Sequence, residues 1–321
     1  MSNHPSKKTT PVILGICALA AALTVSSPAR GQQDRYPWRD MQQHAFDVAE
    51  GGSLRVRVDD ADVAVVATDG VAAVTLRLRS NDMDWAVDRF ERTGYRARVD
   101  GDTIVVESDE EPRGSWISGN WMSVFVEVHV PTRFDLDVVT QDGDVSVGSF
   151  EGEAILRTQD GDITIDALDG DSIDLSTQDG DLRAAMLAGR TVQVRSQDGD
   201  IEVEALRGAV SMYTQDGDII IGTADAPELE LGSHDGDIHV AISEDARMEL
   251  ETQDGDISID APSSLRADID FSGEEVYIRG GFDLQGSVSE HHARGSINGG
   301  GERIRARAGD GSVRLLFREA R

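Results

Sequence analysis

The sequence predicts an all-β chain, a single-stranded parallel β-solenoid (β-helix) wound to the right with about 18–19 residues in each rung. Three observations carry that prediction. The first is an acidic pentapeptide written seven times: Thr140-Gln-Asp-Gly-Asp, its copies from Thr158, Thr177, Ser196, Thr214 and Thr252, and Ser233-His-Asp-Gly-Asp. The second is spacing, because the first Asp of each copy falls at 142, 160, 179, 198, 216, 235 and 254. A period that short holds two strands and two bends. The third is alternation. Apolar pairs precede the motif (Ala154 and Leu156, Ile173 and Leu175, Val192 and Val194) and follow it (Ile163 and Ile165, Leu182 and Ala184, Ile201 and Val203). Both sets have the period of two that half-buried strands require. One rung cannot bury its apolar side alone, whereas rungs stacked at ~4.8 Å build a continuous core. Right-handed winding follows from the strong preference of parallel crossovers. A sandwich of hairpins closed at Asp-Gly turns is the competing arrangement, but it would not need a constant register across seven copies.

Residues 1–31 read as a signal peptide. Lys7 and Lys8 supply the basic start, Val12 to Val25 the apolar stretch, and Ser27-Pro28-Ala29 a cleavage box. Such a stretch is short of the ~20 residues that a helix needs to cross a bilayer, and nothing after it is long and apolar enough to do so. Ile16 is too large for a lipobox before Cys17, and the apolar run continues past that cysteine. Cys17 is the only cysteine, and both lysines share its segment. The exported chain therefore has neither disulfides nor a Cys-held metal. Losing Lys7, Lys8 and Arg30 takes the net charge from −30 to −33. That balance excludes nucleic acid and anionic lipid as partners, and it suits divalent cations or basic proteins.

Residues 32–45 read as a flexible segment and 46–130 as N-terminal β rungs, in which Asp60-Ala-Asp-Val and Asp100-Gly-Asp-Thr echo the corner. Within them 80–120 reads as an excursion that caps the open end of the stack, with a short helix over Asp84 to Glu91 and a loop over Glu110 to Asn120. Residues 131–321 read as the repeats. Their second bend carries Phe150, Leu168, Leu187 and Leu206, each followed two residues later by glycine. About three degenerate turns should follow Asp254, with Gly273 and Gly295 as remnants and Asp310-Gly-Ser-Val as a last echo.

In-register stacking sets two columns of carboxylates along one corner. One holds Asp142, Asp160, Asp179, Asp198, Asp216, Asp235 and Asp254; the other holds Asp144, Asp162, Asp181, Asp200, Asp218, Asp237 and Asp256. Carboxylates ~5 Å apart repel by nearly 1 kcal/mol in water and by several times that at lower dielectric, so the columns need an offset. Turn chemistry is one: Gly at positive φ, Asp accepting backbone N–H groups, and Thr or Ser bonding its stacked neighbour. Ala61 in place of Gly and Ser312 in place of the second Asp suit that account. Bound calcium, as the one cofactor the corner suggests, is the other. The corner resembles the glycine-rich calcium-binding nonapeptide repeat, at twice its spacing.

Phe46-Asp-Val-Ala-Glu-Gly-Gly-Ser-Leu-Arg-Val, Val126-Glu-Val-His-Val-Pro and Leu136-Asp-Val-Val-Thr-Gln-Asp-Gly-Asp-Val-Ser-Val together resemble the bacterial "putative adhesin" domain of unknown function, related to head domains of auto-transporter adhesins. The resemblance spans about 46–321. It implies a β-strand-repeat solenoid on an exported or envelope protein, with no established enzyme activity. The uniform Asp-Gly-Asp departs from that family's Ser/Asn-Gly-Asp/Ser turns.

A non-catalytic, adhesin-like scaffold of the cell envelope or surface, periplasmic or extracellular, is the expected function, with an unidentified envelope or surface ligand. A calcium-binding repeat protein is the alternative. A β-helical polysaccharide hydrolase or lyase is a lesser one, since it needs a unique carboxylate pair between loop walls, and the uniformly short bends supply none. The outward rows, Ser146, Thr164, Arg183, Glu202, Ile220, His239 and Ser258 after the motif and Val139, Arg157, Ser176, Arg195, Tyr213, Gly232 and Glu251 before it, form neither a threonine ladder nor an aromatic strip. His234, His239, His291 and His292 read as solvated surface. The arginines at 303, 305, 307, 314 and 318 make the tail the more basic part of the chain.

Overall fold

The computed structural model describes residues 36–109 and 119–318. The chain divides into two units, 1–37 and 38–321, and the architecture below is that of the second. Among the described residues it is all-β apart from one helix, and its sheet is open.

The central repeats show how a rung is made. Strands β8 (Asp135–Val139), β10 (Ala154–Arg157) and the second halves of β11 (Ile163–Ser176), β12 (Leu182–Arg195), β13 (Ile201–Tyr213) and β14 (Ile219–Gly232) run parallel as one face. β9 (Val145–Glu151) and the first halves of β11 to β14 form the other. β15 (Ile238–Ile242), β16 (Arg247–Thr252) and β17 (Ile257–Pro262) extend both faces. Equivalent residues pair along each face, as Ile163 with Leu182 and Ile201 with Ile219. Inward residues therefore stack as ladders, Leu156, Leu175, Val194, Met212, Leu231 and Leu250 on one face, Ile163, Leu182, Ile201, Ile219, Ile238 and Ile257 on the other, all buried. Each rung covers the apolar side of the next, and this β-solenoid-like stack is the hydrophobic core.

At the N-terminal end the chain order and the stacking order differ. β2 (Ser53–Arg57) and β3 (Ala61–Ala67) come first in the chain, yet they lie between β8–β9 on one side and β6 (Thr103–Glu107) and β7 (Met122–Val130) on the other. Antiparallel strands finish this end: β5 (Arg96–Asp100) on β6, β4 (Ala72–Ser80) on β7, and β1 (Arg39–Phe46) on β4. Residues 39–45, expected within a flexible segment, are thus strand. The expected helix is present as α1 (Met83–Thr93), with Asp82 as N-cap, Gly94 in the left-handed conformation closing it, and Ala86 and Phe90 buried. The expected loop at Glu110 to Asn120 lies, up to residue 118, outside the described residues. Asp100-Gly101-Asp102 is not a rung corner but the tight turn of the β5–β6 hairpin, with Gly101 at φ +63°.

The C-terminal end repeats the device. β22 (Glu302–Ala308) and β23 (Ser312–Arg318) pair directly with β16 and β17, and on their far side with β18 (Ala267–Ser272) and β19 (Glu275–Arg279). The antiparallel β20 (Leu284–Val288) and β21 (His292–Ile297) finish the face beyond β18. The degenerate turns expected after Asp254 are thus not laid down in chain order, because the last rung is threaded between two earlier ones. Gly273 does sit over the corner of the rung below it, near the Gly311 carbonyl. Gly295 instead faces Gly286 in an antiparallel pair.

Candidate functional site

The Thr-Gln-Asp-Gly-Asp corner joins the two faces, and each of its residues has a separate task. The Thr or Ser points inward and is buried in all seven copies. Its hydroxyl donates to the glycine carbonyl one rung back, as Thr177 Oγ1 to Gly161 O (3.0 Å), and accepts the N–H of its own glycine, Gly180 N (3.2 Å). The amides of Gln178 and Asp179 both donate to the Gln159 carbonyl below (3.0 and 2.9 Å). The buried polar groups of the bend are thereby satisfied.

The corner glycines are required for a different reason from the one expected. None of them has positive φ. A Cβ built on Gly180 would lie 2.0 Å from the Gly161 carbonyl oxygen, and one on Gly199 1.9 Å from that of Gly180. The column Gly143, Gly161, Gly180, Gly199, Gly217, Gly236, Gly255 and Gly311 is glycine because each backbone rests on the one below. Ala61 ends that column: Gly143 rests on its carbonyl, and on its other side it pairs with Val124 of β7.

The two aspartate columns part company. In the second, each carboxylate accepts the amide of its counterpart in the next rung: Asp162 N to Asp144 Oδ1 (3.0 Å), Asp181 N to Asp162 (2.8 Å), Asp200 N to Asp181 (3.0 Å), Asp218 N to Asp200 (2.9 Å), Asp237 N to Asp218 (2.7 Å) and Asp256 N to Asp237 (2.7 Å). The ladder starts at Asp62, which accepts from Asp144 N, and ends where Ser312 N donates to Asp256. Ser312 needs no carboxylate for that contact, since it gives only its amide. Arg183 pairs with Asp181 (2.6 Å) and reaches Asp162 (3.8 Å), and Arg314 pairs with Asp256 (2.9 Å), which relieves repulsion at two places. Burial raises the Asp62 carboxyl above the usual range, more than the amide from Asp144 lowers it.

The first column, Asp142, Asp160, Asp179, Asp198, Asp216, Asp235 and Asp254, is exposed throughout. Asp235 is paired with His234, and that bond, with the nearby charges of Asp235, Asp254 and Asp216, raises the imidazole above its usual value. Among the described residues no three or more His, Cys, Asp or Glu side chains converge as a metal-holding group. His239 stands 3.9 Å from Asp260 on the opposite face, and His291 bonds the Glu274 carbonyl.

Ladders of this kind define a class: an open parallel β-stack with a repeated, hydrogen-bonded corner between two faces. The chain belongs to the Toastrack DUF4097 family, whose model matches residues 52–316. Among solved structures it is similar to a "putative adhesin" of Parabacteroides distasonis, with 9% identity over 87% of this chain and 97% of that one and a TM-score of 0.50. It is also similar to one of Parabacteroides merdae, with 9% identity over 87% and 95% and a TM-score of 0.49. A "putative lipid binding protein" of Parabacteroides distasonis matches at 12% identity over 85% and 96%, with a TM-score of 0.47. No curated protein matches. At such identities the likeness is one of fold.

Proposed function

We propose that this is a non-catalytic, exported protein of the cell envelope or surface that binds through its long faces, in the manner of an adhesin. One observation carries the proposal: the corner repeats in seven successive rungs over a continuous core, while the outward row from Arg195 through Tyr213, Gly232 and Glu251 to Arg307 changes at each step. Constancy inside with variation outside suits a scaffold that presents a surface. The name borne by the Parabacteroides distasonis neighbour supports the same reading. So does the leader expected over residues 1–31, and right-handed winding belongs to it. No helix of the described residues is long and apolar enough to cross a membrane. Fractionation with protease shaving of intact cells, paired with an attachment assay on a deletion strain, tests it. Surface-exposed protein and reduced attachment are expected; cytoplasmic protein with unchanged attachment would contradict it. Zymography on acidic polysaccharides should show no clearing.

A calcium-binding corner is the second reading, favoured by the exposure of the first Asp column, in which only Asp235 is engaged by a side chain among the described residues. Cations would bridge carboxylates of adjacent rungs there, at the weak affinities of extracellular sites. Millimolar calcium should then raise Tm well beyond matched monovalent salt, and an equal effect of both salts would remove this reading.

A further inference from the structure

The outward row of the first face is interrupted at one place. Gly232 stands where its neighbours carry side chains, and the Tyr213 ring leans across it, with Cδ2 3.0 Å from where a Gly232 Cβ would be. An aromatic ring covering a strand glycine protects its backbone, and here Tyr213 stays 49% exposed. Beyond Gly232 the surface falls into a groove of about 770 Å³, a volume within the range of small-molecule sites. Glu251 and Arg307 continue the row from Gly232, and Glu230 and Glu249 line the parallel row beside it. From Tyr213 to Arg307 is three strand spacings, or about 14 Å.

The groove's hydrogen-bonding groups are not consumed by the fold. Arg305 holds Glu249 (3.2 Å). The side chains of Glu230, Glu251, Arg307 and Tyr213 make no ion pair or hydrogen bond with other described residues. Three glutamates repel an anionic ligand, and Arg307 together with the Arg305–Glu249 pair disfavours a compact cation. What remains is a neutral ligand with one apolar face and many hydroxyls. A pyranose has that form: its C–H face lies on an aromatic ring, and its hydroxyls donate to carboxylates and accept from a guanidinium.

We propose that the Tyr213–Gly232–Arg307 groove is a binding site for a neutral oligosaccharide, with Tyr213 as the stacking platform and Glu251 and Arg307 as the polar contacts. The inference deepens the surface-binding function and rests on it. Titration calorimetry of the full chain against maltotetraose, cellotetraose, mannotetraose and N-acetylchitotetraose tests the site. At least one should bind, and Tyr213→Ala should weaken it by about tenfold or more. Glu251→Gln should weaken it to a lesser degree, and Glu202→Ala on the opposite face should not. A matching Tm and circular dichroism spectrum for each variant separates loss of the site from loss of the fold. Binding to none of the four, or binding that Tyr213→Ala leaves unchanged, overturns the proposal. Surface exposure and attachment that persist in the Tyr213→Ala strain would remove the groove alone and leave the surface function standing. Oligosaccharide binding by a protein that shaving finds inside the cell would do the reverse.

Discussion

At the corner, two glycine roles separate cleanly. Gly199 has no positive φ but a carbonyl beneath it, while Gly101 has φ +63° and open space around it. Gly199→Ala must push two rungs apart and should cost about 3 kcal/mol or more; Gly101→Ala meets only backbone strain, about 1 kcal/mol. Urea denaturation compares the two, and equal losses would contradict the stacking account. The aspartates divide in the same way. Asp200→Ala leaves the Asp218 amide without its acceptor and should cost about 1 kcal/mol, whereas exposed Asp198→Ala should stay within about 0.5 kcal/mol. His234 gives a pH test. Its folded value is raised by Asp235, so the pair's contribution is complete below the ordinary histidine value and fades as pH climbs through the raised one. An NMR titration should place the His234 midpoint above that of a free histidine, and Asp235→Asn should bring it down.

At the scale of elements, the repeats were legible and the ends were not, for a physical reason. Alternation such as Ile163-Thr-Ile165 and a constant step between Asp160 and Asp179 encode a strand and its register locally. Nothing local says that Thr252 is to lie beside Ala308, because the rung that supplies Ala308 lacks the Thr-Gln pair and arrives after two further strands and a hairpin. Glycine is ambiguous for a related reason: the letter is the same whether it serves positive φ, as at Gly101, or close approach, as at Gly180. The Asp-Gly-Asp of residues 100–102 shows the cost of that ambiguity, since it reads as a corner and folds as a hairpin turn. The groove was invisible for want of the same long-range pairing. Tyr213 and Gly232 were evident as outward residues, but Arg307 joins them only through the threaded rung. Threading also predicts what a truncation does. Removing residues 302–321 takes away the strand partner of β19 and one of the two partners of β18, and bares one edge each of β16 and β17. Hydrogen exchange over 275–279, whose only strand partner among the described residues is β23, should then rise sharply, and the protein should self-associate. Protection retained across β19 would mean that it pairs directly with β17.

Over the whole molecule, the device at both ends is the same. β2–β3 near the start and β22–β23 near the finish are each held between two other rungs, so neither the first nor the last rung in chain order is an outermost one. Antiparallel strands and α1 lie beyond them at the N-terminal end, and the β20–β21 hairpin at the other. The outward rows between these ends are the proposed binding surface. The most direct test of this order of stacking is a spin-label distance between Glu202→Cys and Arg314→Cys, with Cys17 replaced by Ser. Glu202, Ile220, His239, Ser258 and Arg314 lie side by side in successive rungs, so four strand spacings, about 19 Å between backbones, separate the labelled positions. A narrow distribution centred near that value is the predicted result. A separation one or more spacings longer would show the last rung stacked in chain order at the far end, and would contradict the account.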